Sequence, residues 1–233
     1  TVSIDALDKV KLTPAEMVVA LAEGARLRSY RFEKYRTRKN GGNNNDNANK
    51  KPTLRSLTFR CKGAGLARAA FRPRDKVAAG VFMTRDLVTE PPNVIYPQTL
   101  AQRCSELTRL GVKVEVLGEA RMKRLGMGAL LGVGQGSARE SKLVVMRWAG
   151  LPKGRAPRKG QGTKEGAKAY QPVCFVGKGV TFDTGGISLK PASGMEDMKY
   201  DMGGSGVVIG LMKALAGRRA QVNAVGVVAL AEN

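Results

Sequence analysis

The sequence predicts an α/β domain: a three-layer sandwich with a mostly parallel central sheet and helices on both faces. Two observations carry that expectation. Strand-patterned runs (VKVEVL, KLVVMRW, PVCFVG and QVNAVGVVAL) are separated by helix-patterned segments, the order expected when helices cover a sheet. KLVVMRW and QVNAVGVVAL are moreover continuous apolar runs, as in strands buried on both faces.

The elements follow in order. LTPAEMVVALAEGARLRSY is a helix: Thr13 is its N-cap, Pro14 takes the first helical position and Glu16 completes a capping box. Met17, Ala20, Leu21 and Ala25 recur at helical spacing and mark the expected buried face. The helix runs into a basic stretch, residues 26–39, and then into GGNNNDNANKK, a polar tract expected to be a mobile loop. TLRSLTFRC reads as a strand and Lys76 to Glu90 as a helix stopped by PPNVIYP. Pro97 opens a helix through Leu110, with Leu100, Ala101, Cys104 and Leu107 buried and Gly111 as its C-terminal cap. Val112–Leu117 alternates as a strand, and Glu119–Leu125 is a short helix. MGALLGVGQGS lacks the spacing of a phosphate or dinucleotide loop and reads as a close-packed turn. Residues 151–170 form a second basic, glycine-rich loop. GGSGVVIGLMKALAG is a helix whose glycines permit close approach to the sheet.

Composition narrows the function. The 233 residues contain no histidine, which leaves out Ser-His and Cys-His nucleophiles and His-ligated zinc. The three cysteines, Cys61, Cys104 and Cys174, are odd in number and far apart. They make no disulfide framework, and a reducing compartment fits best. The cytoplasm is the expected location, with an organelle matrix as the alternative. No run of about 18 apolar residues occurs, so no membrane span is expected, and TVSIDALDKVKL does not read as a signal peptide. Lys plus Arg number 40 against 19 acids, a net +21. Such a surplus suits nucleic acid or another polyanion; a basic surface meeting an acidic neighbour also accounts for it.

The chemistry concentrates in VGKGVTFDTGGISLKPASGMEDMKYDMGG, Val176–Gly204. Lys178, Asp183, Lys190 and Asp201 return to one neighbourhood, at the carboxyl end of a strand where α/β sheets gather ligands. Carboxylates suit divalent cations. A lysine amine ligates only when neutral, which takes about 4–5 kcal/mol near pH 7; a dication in a desolvated pocket can supply it. A lysine–aspartate salt-bridge network shaping a loop is the other reading of these residues. Glu196 and Asp197 are expected to be solvated.

The whole motif closely resembles the metal-binding segment of the leucyl aminopeptidases, the M17 cytosol-aminopeptidase family. TRDLVTEPPNVIYPQTLA, MGALLGVGQGS and VGVVALAEN resemble further segments of that family, so the likeness covers about Arg85 to Asn233. Residues 1–50 then correspond to a linker helix and polar loop, and 51–233 to the N-terminal part of the catalytic domain. The resemblance implies a two-metal exopeptidase using Zn2+, Mn2+ or Mg2+. It implies that Lys178 ligates one metal, Asp183 bridges both and Asp201 completes the first metal's shell. It makes Lys190 the catalytic lysine, protonated and polarising the scissile carbonyl, and places Met198 in a pocket for leucine-like first residues. Peptide substrates and a homohexamer are implied likewise. The family's second motif, Asn-Thr-Asp-Ala-Glu-Gly-Arg, with further metal ligands and a bicarbonate-holding arginine, is not in this sequence, and Glu232 has no ligand role in the family. A protein ending at Asn233 is therefore expected to show no appreciable peptidase activity. The alternative is an inactive homologue serving as a basic binding or structural module.

Overall fold

The computed structural model describes residues 1–5, 11–35, 54–151 and 171–233. The polar tract at 41–51, the basic loop at 152–170 and the 50/51 division lie outside the described residues. The chain forms two compact units, Thr1–Asp75 and Lys76–Asn233.

In the first unit β1 (Val2–Ile4) pairs in parallel with β2 (Phe59–Cys61), beside α1 (Pro14–Arg28). The Thr13 hydroxyl accepts from the Glu16 amide at 3.3 Å, and the Glu16 carboxylate accepts from the Thr13 amide at 2.8 Å. This is the expected capping box. The buried face is turned from the one expected: Val18 and Val19 are buried with Ala67, whereas Leu21 is exposed. Ile4, Phe59 and Phe71 supply the apolar partners, and such partners are not encoded in helical spacing.

Helix α2 (Ala64–Thr89) starts well before Lys76 and contains Pro73. A proline within a helix removes one backbone donor, which the helix's remaining hydrogen bonds tolerate. In the second unit α3 (Pro97–Ser105) tightens into a 3₁₀ turn, Glu106–Leu110, which Gly111 ends at φ +88°. There follow β3 (Lys113–Leu117), α4 (Glu119–Arg124), α5 (Gly128–Gly134), β4 (Lys142–Ala149), β5 (Val173–Val180), α6 (Gly203–Gly217) and β6 (Asn223–Ala231). The expected glycine-dense turn is thus a short helix, α5.

The α/β class holds, but the strand directions differ from the expected mostly parallel sheet. The order is β3-β4-β6-β5; β3–β4 and β4–β6 are antiparallel, and β5–β6 is parallel. The parallel pair is the one joined by a full helical crossover, β5–α6–β6, as parallel neighbours require. Core residues alternate along β6: Ala224, Val228 and Leu230 are buried against Leu100 and Cys104 of α3, Val144 and Met146 of β4, and Ile209 and Met212 of α6. On β5 the alternate positions Cys174 and Val176 are exposed.

The glycines of α6 serve two neighbours. Gly204 lies against the Lys178 backbone of β5. Gly210 abuts Gly80 of α2, and the Thr84 hydroxyl donates to the Gly206 carbonyl at 3.0 Å. Helix–helix packing therefore uses glycines that the sequence reading gave to the sheet. Among the described residues no helix is long and apolar enough to cross a membrane.

Candidate metal and catalytic site

Strand β5 continues to Val180, so Lys178 sits within it, paired with Ala229, rather than just beyond its end. Gly177 makes this placement possible. Its α-carbon lies so near α6 that an added Cβ would stand 2.6 Å from the Gly204 carbonyl oxygen. The Ser205 hydroxyl closes the contact by donating to the Gly177 carbonyl at 3.2 Å.

Beyond β5 the chain is pinned to the end of β6. Buried Thr181 donates from its amide to the Ala231 carbonyl at 2.8 Å. The Asn233 amide donates to the Phe182 carbonyl at 3.0 Å, and the Thr184 amide to the Asn233 carbonyl at 2.9 Å. Asp183 stands between these two bonds. Its Oδ1 accepts from the Gly185 amide at 2.9 Å, with Gly185 at φ +94°, a conformation open to glycine. The Lys190 amide donates to the Thr184 carbonyl at 2.8 Å and closes the loop.

This loop brings Lys190 back onto Asp183. Lys190 Nζ lies 2.7 Å from Asp183 Oδ2, 3.1 Å from the Asp183 carbonyl and 3.2 Å from Met198 Sδ. A 3₁₀ turn, Met195–Tyr200, carries Met198 and ends at Asp201. Asp201 Oδ1 accepts from Lys178 Nζ at 2.7 Å. Its Oδ2 is buried with no hydrogen-bond partner among the described residues. The Asp183 carboxyl is held below the usual carboxylate range, first by the Lys190 hydrogen bond, against desolvation, then by the Gly185 amide and the charges of Lys190 and Lys178. Lys178, Asp183, Lys190, Met198 and Asp201 thus gather as two lysine–aspartate pairs. Glu196 and Asp197 are exposed.

The donor set suits a hard or borderline divalent cation: two carboxylates, one of them with an orphaned buried oxygen, and one amine. Among the described residues no three His, Cys, Asp or Glu side chains gather at one point. The set therefore supplies three donors, Lys178 included, where a divalent cation takes about four to eight.

One feature beside the site has no signal in residue spacing. Arg139 and Glu232, 93 positions apart, form an ion pair at 2.7 Å next to Asn233.

The model of the cytosol aminopeptidase family, catalytic domain, matches residues 82–233. The chain belongs to that family. It is 49% identical over 219 residues to a probable cytosol aminopeptidase of Caulobacter vibrioides, covering 94% of this chain and 40% of that protein. It is 52% identical over 213 residues to one of Brucella anthropi, covering 91% and 39%. The chain thus spans about 40% of the length of the curated relatives it matches. Among solved structures, the bottromycin maturation enzyme BotP in complex with Mn has a TM-score of 0.75 at 29% identity, covering 99% of this chain and 43% of that one. The cytosol aminopeptidase of Coxiella burnetii has a TM-score of 0.66 at 26% identity, covering 94% and 39%.

Proposed function

We propose that this chain carries the front part of a two-metal aminopeptidase site that releases leucine-like residues from the N-terminus of peptides. The observation that carries the reading is Asp201 Oδ2, buried beside Lys178 with no donor among the described residues. An unpaired buried acceptor is destabilising by about 1–3 kcal/mol, and a cation removes that penalty. Family membership and the Mn bound to BotP support a divalent ion.

Lys178, Asp183 and Asp201 would hold the ions, with Asp183 shared between two. Bound divalent cations would polarise the peptide carbonyl and lower the pKa of a water. The chain's own groups do the rest. Lys190, aimed by Asp183, donates to the carbonyl oxygen where negative charge develops. Asp183 is in turn oriented by the Gly185 amide. Met198, against Lys190 Nζ, offers a soft apolar wall that suits leucine-like side chains. Peptide substrates, a homohexamer and a cytosolic location belong to the same proposal.

Mn2+ titration followed by electron paramagnetic resonance tests the reading. Wild-type protein takes up Mn2+, and Asp201→Asn weakens uptake by at least about tenfold, since it removes a ligand charge. Wild type and Asp201→Asn with equal uptake would refute it. With three donors among the described residues, this chain alone is expected to release no leucine from a dipeptide; metal-dependent release by a mass-verified 233-residue protein would contradict that part.

A further inference from the structure

We propose that Arg139 is a positioning residue for Asp183, acting through Glu232 and Asn233 at the end of β6; the inference rests on the metal reading above. Arg139 lies on the loop before β4, and its hydrogen bonds go to Ser137, Pro92 and Glu232 rather than to any of the five site residues. Its Nη1 is 2.7 Å from Glu232 Oε2 and 3.1 Å from the Pro92 carbonyl, and its guanidinium carbon lies 4.1 Å from the centre of the Tyr96 ring. The other Glu232 oxygen accepts from the Ser137 hydroxyl at 2.8 Å, and that hydroxyl accepts from the Arg139 amide at 3.0 Å. Both carboxylate oxygens are therefore engaged, and the Glu232 side chain is only 22% exposed.

Such a carboxylate fixes the backbone that carries it. The next residue, Asn233, bonds Phe182 and Thr184, the two neighbours of Asp183. Thr184 then accepts from the Lys190 amide. Two backbone bonds thus lie between the clamp and the carboxylate proposed to bridge the metals. Outer residues that orient metal ligands alter metal affinity without touching the ion, and a site held within a fraction of an ångström needs such support. A solvated ion pair between two loops would not require a carboxylate oxygen, a carbonyl and a ring face to converge on one guanidinium while a hydroxyl holds the second carboxylate oxygen.

The test is amide hydrogen exchange by NMR on metal-free protein, with Mn2+ affinity as a second readout. Arg139→Met is expected to raise exchange at Thr184 and Lys190 about tenfold, leaving Val228 and Met212 unchanged, and to weaken Mn2+ binding by about tenfold. Arg139→Lys, which keeps the charge but not the fork, is expected to recover most of both. Exchange that stays at the wild-type rate, or rises equally at Val228 and Met212, would overturn the proposal. So would raised exchange with unchanged Mn2+ affinity where wild-type protein binds Mn2+. If Arg139→Met does not fold, Glu232→Gln is read in its place. Wild-type protein that takes up no Mn2+ while the exchange pattern is as expected would refute the metal reading and uphold the clamp on the loop.

Discussion

Gly177→Ala tests how the fold makes the site. An alanine Cβ there would stand 2.6 Å from the Gly204 carbonyl oxygen and 2.8 Å from the Ser205 amide nitrogen. Ordinary contact begins near 3.4 Å, so β5 and α6 must part by about 3.4 − 2.6 = 0.8 Å. The obstructing atoms are backbone on both sides, so no rotamer change relieves the clash. Overpacking in a core costs about 1–3 kcal/mol, and this case belongs at the upper end, about 3 kcal/mol. The same displacement separates Lys178, one residue on, from Asp201, which precedes α6. Urea unfolding reads the stability: the midpoint should fall with the slope unchanged. Gly203→Ala is the control, because none of the described residues lies within 4 Å of its added Cβ beyond its own chain neighbours and helix backbone; it should stay within about 0.5 kcal/mol of wild type. A Gly177→Ala protein as stable as the control would refute the close approach of strand and helix.

Three further outcomes are expected. Thr13→Ala removes the hydroxyl that accepts from Glu16 and should lower the stability of the first unit by about 1 kcal/mol, read by thermal unfolding. Asp183 has a lowered pKa, so its pairing with Lys190 adds stability above the usual carboxylate range and loses it as pH falls through the lower folded value. Asp183→Asn should therefore flatten the acid limb of the stability–pH profile of metal-free protein; an unchanged limb would count against the pair. Burial pushes the Cys104 thiol up to about 12. Iodoacetamide at pH 8 should label exposed Cys174 and reach Cys104 only after unfolding, as peptide mass mapping would show.

What the sequence made legible was local or chemical. Thr13, Pro14 and Glu16 act within one helical turn, so the start of α1 was readable. Lys178, Asp183, Lys190 and Asp201 fall within one window, where a strand, a turn and a helix start gather them, although the end of β6 at Asn233 pins the turn. The features missed depend on distant partners. The buried face of α1 is chosen by Phe59 and Phe71. The antiparallel placement of β4 against β3 and β6 pairs strands with helices or a further strand between them in the chain, which the apolar pattern of the strands does not encode. Helix α5 hides in a glycine-dense stretch whose intrinsic propensity argues against it. The Arg139–Glu232 clamp spans 93 positions, a separation at which a single sequence carries no pairing signal.

The most direct measurement is a crystal soaked in Mn2+, with diffraction collected at an energy where manganese scatters anomalously. The account predicts an anomalous peak within ligand distance of Asp201 Oδ2 and the Asp183 carboxylate, about 2.0–2.3 Å away, with Lys178 Nζ turned from Asp201 Oδ1 toward the ion. A structure in which the Lys178–Asp201 pair stays closed at full Mn2+ concentration, with no peak near either carboxylate, would contradict it and leave a salt-bridged loop in its place.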